Sequence, residues 1–276
     1  MIIKTIKIFL KSVLILLVLY VLHGVFMNPR LDREWTDDQK ILATVDFIDE
    51  NTVAIKNIRN ISYTATSDYS VGYYDKTINI DDIDSVWYMV EPFGSFGAAH
   101  TLVSFGFNDG SYLSISVEIR KEKGESFSPI KGIFRQYELV YVIADESDVI
   151  KLRTNYRKDE VRLYPINAEK EKIQEVFVSM LKRASELATK PEFYNTISSN
   201  CTTNIVKHVR EFSERAIPWY SLKYLMPASS DVVAYDAGMI DTDLSLEEAR
   251  LKFYITEKAQ ACTPQANFSL CIRDGD

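Results

Sequence analysis

The sequence predicts an α+β domain, an antiparallel sheet with helices, behind one N-terminal transmembrane helix. Three observations predict it: an apolar run near the N-terminus, a first half rich in β-branched and aromatic residues, and a second half with helical periodicity. Runs of strands come before runs of helices, the order of an α+β chain rather than of alternating βαβ units.

Each element has its own signal. Ile8 to Met27 is about twenty residues long and interrupted only by Lys11, enough apolar helix to cross a bilayer core. Lys4, Lys7 and Lys11 sit at its N-terminal side, a charge bias that keeps that end in the cytoplasm and sends the rest across. No small-x-small cleavage motif follows, because the chain continues Gly24-Val25-Phe26-Met27-Asn28-Pro29-Arg30. Residues 1–30 therefore read as an uncleaved signal anchor, and the lack of a Cys near Met27 argues against a lipoprotein. From Trp35 the text predicts strands at Thr52–Ile55, Ile61–Thr64, Ser85–Val90, Thr101–Phe107, Tyr112–Ile119, Tyr137–Ile143, Val149–Arg153 and Val161–Leu163. Ile173, Val176, Phe177, Met180, Leu181, Ala184, Leu187 and Ala188 then fall at helical spacing behind Asn167 as cap and ahead of Pro191. A second helix begins near Asn200, runs through Ile205, Val206, Val209 and Phe212, and is stopped by Pro218. Ser245 and Glu248 form a capping box that opens a helix to about Lys258, with a loop beyond. Residues 35–230 thus read as one globular domain, and 231–276 as a helical and loop extension.

Charge and cysteine usage exclude several classes. A net charge of -7, with no Lys/Arg block after the anchor, argues against nucleic acid, whose binding rests on phosphate neutralisation. Three cysteines are too few for a disulfide scaffold and too scattered for a four-ligand zinc site. Cys262 and Cys271 are close enough to pair in an oxidising compartment, leaving Cys201 free. No cofactor or metal is expected.

The candidate chemistry is a thiol with a base. Cys201 follows Ser198-Ser199-Asn200 and precedes Thr202-Thr203, so polar cap residues place it in a first helical turn. Free N–H groups and the helix dipole there favour a thiolate and offer an oxyanion site. His100 lies on the strand before Phe107-Asn108-Asp109-Gly110-Ser111, a three-residue loop ending in Gly that closes a hairpin through a left-handed bulge. That register pairs Phe107 with Ser111 and sets His100 opposite Glu118, where a carboxylate can orient the imidazole. Arg120 shares that face and is an alternative partner for the carboxylate. The competing readings are a buried structural Cys201 and a core His100. His208 lies on Cys201's helix face but about 10 Å away along the axis and reads as structural or surface. Phe93, Phe96, Trp219 and Tyr220 are candidates for an apolar wall, although such aromatics commonly belong to a core.

Phe93-Gly94, Ala99-His100-Thr101, Ser104-Phe105-Gly106-Phe107, Ser116-Val117-Glu118-Ile119-Arg120, Tyr137-Glu138-Leu139-Val140-Tyr141 and Glu192-Phe193-Tyr194-Asn195-Thr196 through Asn200-Cys201-Thr202-Thr203 together resemble a family. They are similar, from about Trp35 to Met226, to the periplasmic domain of the Lnb bacterial lipoprotein N-acyltransferases, itself similar to permuted papain-like (NlpC/P60-type) domains. The resemblance implies Cys201 as nucleophile and His100 as base, with Glu118 as orienting group and Arg120 and Asn200 as substrate-binding residues. It implies that Cys201 takes an acyl chain from a membrane phospholipid and passes it to the N-terminal amine of a lipoprotein, on the extracytoplasmic side of the inner membrane. Lnb-type transferases carry further membrane helices after this domain, and no apolar run follows Met226 here, so a separate integral membrane partner is one expectation. The alternatives are a cell-wall or peptide amidase using the same dyad, and a non-catalytic membrane-tethered binding module.

Overall fold

The computed structural model describes residues 2–94, 97–212 and 227–273. The chain opens with α1 (Ile2–Phe26), whose 25 residues extend about 37 Å. Ile8, Phe9, Leu10, Leu14 and Ile15 on it are more than half exposed. Near its C-terminal end Tyr20 donates to the Ile133 carbonyl at 3.1 Å and meets the Phe134 ring edge-on. Among residues with described side chains, which omit several positions within α1, no helix is long and apolar enough to cross a membrane.

Ten strands follow among the described residues: β1 (Thr44–Phe47), β2 (Thr52–Arg59), β3 (Ser62–Ala65), β4 (Asp68–Ser70), β5 (Tyr73–Asn79), β6 (Ile83–Pro92), β7 (Ala99–Phe107), β8 (Tyr112–Arg120), β9 (Glu138–Ala144) and β10 (Arg162–Pro165). Eight build one sheet in the order β1-β2-β9-β8-β7-β6-β10, with β5 also on β2; β3 and β4 form a separate hairpin. The pairings are antiparallel apart from one parallel bridge, Arg59 to Ala144. The helices are α2 (Pro129–Ile133), α3 (Glu146–Lys151), α4 (Lys170–Thr189), α5 (Cys201–Phe212), α6 (Ser230–Asp236), α7 (Leu246–Lys252), α8 (Thr256–Ala261) and α9 (Phe268–Cys271). This is the α+β architecture that the order of patterns predicts.

Period-2 alternation sorts the sheet's side chains onto two faces. One face carries Val103, Phe105, Ile115 and Val117, and α4 and α5 cover it with Phe177, Met180, Cys201 and Ile205. The other carries Met89, Leu102, Val140 and Val142, covered by Val149 and Ile150 of α3, Ala259 of α8 and Phe268 of α9. Both faces are buried, yet β8 alternates: Leu113, Ile115, Val117 and Ile119 face α4 and α5, and Ser114, Ser116 and Glu118 lie on the other face.

Three sequence expectations fail for identifiable reasons. Val149–Arg153 is helical: Asp145 caps α3 through the Ser147 N–H at 2.8 Å, and the β-branched pair is buried by packing. The chain then continues as a π-helical turn over Leu152–Arg157. The helix opened by Ser245 stops at Lys252 because the Phe253 carbonyl accepts from Leu163 N–H and Ile255 N–H donates to Val161, adding this stretch to the β10 edge. Asn167 is not the α4 cap; Glu169 holds that position. The stretch 231–276, read as an extension, supplies Ile240, Ala249 and Phe253 to one core and Ile255, Phe268 and Ile272 to the other. The Cys262–Cys271 disulfide is present.

Candidate active site

The hairpin register follows from its turn. Gly110 adopts φ +76°, and Phe107 and Ser111 pair at 3.0 Å. The ladder runs Gly106↔Tyr112 to Leu102↔Ser116, which places His100 across from Glu118. Glu118 Oε1 is 3.8 Å from His100 Nε2, and Ser116 bridges them: its hydroxyl is 2.8 Å from the imidazole and donates to the carboxylate at 2.8 Å. With the Ser116 proton directed to Glu118, Nε2–H is the donor to Ser116 and Nδ1 carries the lone pair.

A buried charge network surrounds this histidine. Arg153 donates to Glu118 at 3.2 Å and to Glu91 at 2.6 Å, and Gln39 donates to the second Glu118 oxygen at 3.3 Å. Burial, then the Arg153 charge, pulls the His100 pKa down to about 3, so the ring is neutral. Burial pushes the Glu118 carboxyl up, but Arg153, then His100 and Arg59, hold it well below the usual range. Glu91 moves the other way, to about 7, because burial outweighs Arg153 and Arg157. The register expected from the sequence already sets Ser116 on the face of His100 and Glu118. Arg153 had no local signal, lying in a segment that reads as strand.

Cys201 is built in from the other side. Asn200 caps α5: its Oδ1 accepts from Thr203 N–H at 2.9 Å, and its own N–H donates to Thr203 Oγ1 at 2.8 Å. Its Nδ2 donates to the Thr196 carbonyl at 2.9 Å, so Asn200's side chain holds the helix start rather than presenting a free group. Asn195 fixes the preceding loop, its Oδ1 accepting from the N–H groups of Ile197 and Ser198. Cys201 is thereby the first residue of α5, 4% exposed, its Sγ 3.9 Å from the Ala99 carbonyl oxygen and 3.9 Å from Thr202 Oγ1.

The structure does not place the His100 imidazole against the Cys201 thiol. Ala99 packs in the core with Cys201, and Thr101 Oγ1 lies 3.2 Å from Thr202 Oγ1, so the intervening His100 projects to the opposite face, where Ser116 holds it. The two are nevertheless separated by a parting of strands. The β7–β8 ladder begins at Leu102, whereas β6 pairs with β7 from Ala99 onward. Ala98's carbonyl accepts from Phe93 on the β6 side, so the next carbonyl, that of Ala99, points away from β6 into the gap before β8. Cys201 Sγ therefore sits at one mouth of this gap, and His100 at the other.

Arg120 is not Glu118's partner. It stacks on Trp35 at 4.2 Å and donates to the carbonyls of Gln39 and Lys40, tying the segment after α1 onto β8. His208 is buried with both ring nitrogens occupied, by Tyr141 at 2.9 Å and Ser179 at 2.8 Å, which makes it structural.

An apolar cavity of about 340 Å³ begins at Thr202, the residue after Cys201; Cys201 itself does not line it. Thr202 and Tyr88 stand at the Cys201 end, and Val103, Ile173, Ile205 and Val209 supply its aliphatic walls. Of the four aromatics considered for an apolar wall, Phe93 stacks edge-on against Phe127, and Phe96, Trp219 and Tyr220 lie outside the described residues.

No curated protein and no solved structure matches the chain. A family model described as the Lnb N-terminal periplasmic domain matches residues 69–228, more than half of the chain and a span containing both His100 and Cys201. The chain belongs to the Lnb N-terminal periplasmic domain family, which is extracytoplasmic by its description.

Proposed function

We propose that this protein is a membrane-tethered thiol acyltransferase that carries a fatty acyl chain on Cys201. The observation that carries this reading is the aliphatic cavity that begins one residue past the helix-initial thiol, at Thr202. A peptidoglycan amidase needs an open polar groove at its cysteine, whereas an aliphatic pocket of this size suits a hydrocarbon chain. The apolar exposed stretch of α1 supports tethering, since both substrates lie in the membrane.

The reaction has two halves. Cys201 thiolate attacks the ester carbonyl of a phospholipid; a carbon–sulfur bond forms, the ester carbon–oxygen bond breaks, and the lysophospholipid alkoxide takes the proton given up by the thiol. The amine of a lipoprotein N-terminus then attacks the thioester; a carbon–nitrogen bond forms, the carbon–sulfur bond breaks, and the amine proton returns to the thiol. In the first turn of α5 the N–H groups of Cys201 and Thr202 have no intrahelical acceptor, and they stabilise the oxyanion of each tetrahedral intermediate. His100 carries the protons. To do so its ring leaves Ser116 and the backbone of residues 99–101, which has no β8 ladder to break, turns to bring it to the Cys201 face. The order of strand histidine and helix-initial cysteine is also that of a permuted papain-like enzyme.

The test is transfer of a labelled acyl chain from phospholipid to an amine-bearing lipopeptide by the full chain in vesicles. Loss of transfer in both Cys201→Ala and His100→Ala is expected. Transfer that survives Cys201→Ala overturns the proposal. Labelled free fatty acid without labelled lipopeptide would make the protein a hydrolase with the same nucleophile.

A further inference from the structure

The cavity that begins at Thr202 has a polar head and a limited apolar length. At the head, Tyr88 Oη donates to Ser230 Oγ at 2.8 Å, close to the Thr101 and Thr202 hydroxyls. From Thr202, the α5 residues Ile205, Val206, Val209 and Phe212 continue along the cavity at spacings of three and four, one face of a helix over about 15 Å. Val206 and Val209 pack with Val233 of α6 and with Met239, which close the side facing them.

The apolar stretch ends at Asn167, Glu169 and Lys172, which line the cavity where α4 begins. Lys172 is ion-paired with Glu175 at 2.9 Å. Adjoining Ile166 donates to the Val86 carbonyl, two residues and about 7 Å along β6 from Tyr88 at the head, so the charged groups flank the cavity on the α4 side. A hydrocarbon chain starting at the head therefore has its long apolar run only along α5, about 15 Å from Thr202 to Phe212. Burying a methylene there is favourable along the aliphatic wall, and pushing it against Glu169 and Lys172 is not.

The geometry points to α5 as a gauge of acyl-chain length, with Val206 and Val209 as the residues that set the longest chain accepted. This rests on the acyl-transfer reading and adds to it the specificity of that site. A bulky side chain one turn from Thr202, at Val206, stops the chain early; one at Val209 stops it later; trimming Val209 gives it room.

The gauge is tested by binding, in full chain carrying Cys201→Ala, so that no thioester can form. Saturated acids from octanoic to stearic displace a fluorescent polyene fatty acid, and their relative potencies give the length profile. Long acids should win in the parent. V206W should weaken the long acids by about tenfold or more while keeping the short ones, V209W should fall between, and V209A should favour the longest. The same length profile in all four proteins, or no saturable binding, overturns the gauge. Because V209A adds no bulk, it keeps the test valid if either tryptophan variant misfolds. Binding is scored without chemistry, so failure here is distinct from failure of acyl transfer: a chain-length profile can persist where no acyl-enzyme forms, and the reverse.

Discussion

Arg153 is the residue on which the His100 side of the site depends. It joins Glu91 and Glu118, both largely buried, and Arg153→Met would leave two carboxylates without their main counter-charge. A loss of about 3–5 kcal/mol in chemical unfolding is expected, partly restored by adding Glu118→Gln. The two buried histidines give a pH dependence. His100 and His208 have folded pKa values drawn down to about 3 and about 4, mainly by burial, from an ordinary 6.5. Below about pH 6.5 the unfolded chain binds protons that the folded chain does not, so their contribution is present at neutral pH and is lost as pH falls toward 4. His208→Asn should flatten this acid limb, with up to about 3 kcal/mol at stake, measured as midpoint denaturant concentration against pH. A limb unchanged in that variant would contradict the assignment. Asn200→Ala should cost about 1 kcal/mol through its lost cap, and it should lower activity by more than stability because it frees the start of α5.

At the scale of elements, the turn and cap signals carried most of what the sequence disclosed. The Gly110 bulge fixed the β7–β8 register and with it the alignment of His100, Ser116 and Glu118. The polar run before Cys201 marked the first residue of α5. What stayed hidden depends on contacts distant in sequence. Strand alternation puts His100 and Thr101 on opposite faces, but only the packing of α5 decides which face receives Cys201. The strand-like Val149–Arg153 became helical because an Asp cap and burial outweighed β-branched preference, which is a weak prior. Strands β1, β4 and β5 were not among the expected ones: β1 and β4 are short, and β5 is a largely polar strand, Tyr73-Tyr74-Asp75-Lys76-Thr77-Ile78-Asn79, with one buried residue. The C-terminal staple is a further element-scale feature. The Cys262–Cys271 bond closes a short loop beside Arg273, whose guanidinium binds Glu146 through both oxygens. Replacing both cysteines by Ser should lower stability by about 2–3 kcal/mol. Thermal melting under reducing and non-reducing conditions would show it, the gap between the two vanishing in the double variant.

Across the whole molecule, one sheet separates two chemistries. The α4–α5 side holds the thiol and an aliphatic cavity, and the α3–α8 side holds a charge network around a neutral imidazole. The two sides approach one another where the β7–β8 ladder stops, beyond Leu102. The N-terminal helix leaves apolar side chains outside the packed domain, and the segment after it is tied down by Arg120 on Trp35. Deleting residues 2–26 should release the protein from membranes in alkaline carbonate extraction while leaving its thermal transition in place. If Cys201 carries an acyl chain, intact-mass spectrometry of the membrane-extracted protein after incubation with phospholipid should find a fatty-acyl adduct that hydroxylamine removes and that is missing from Cys201→Ala. A protein that gains no mass across donors of different chain length, with His100→Ala also tried as a trap for the intermediate, would contradict the acyl-carrier proposal.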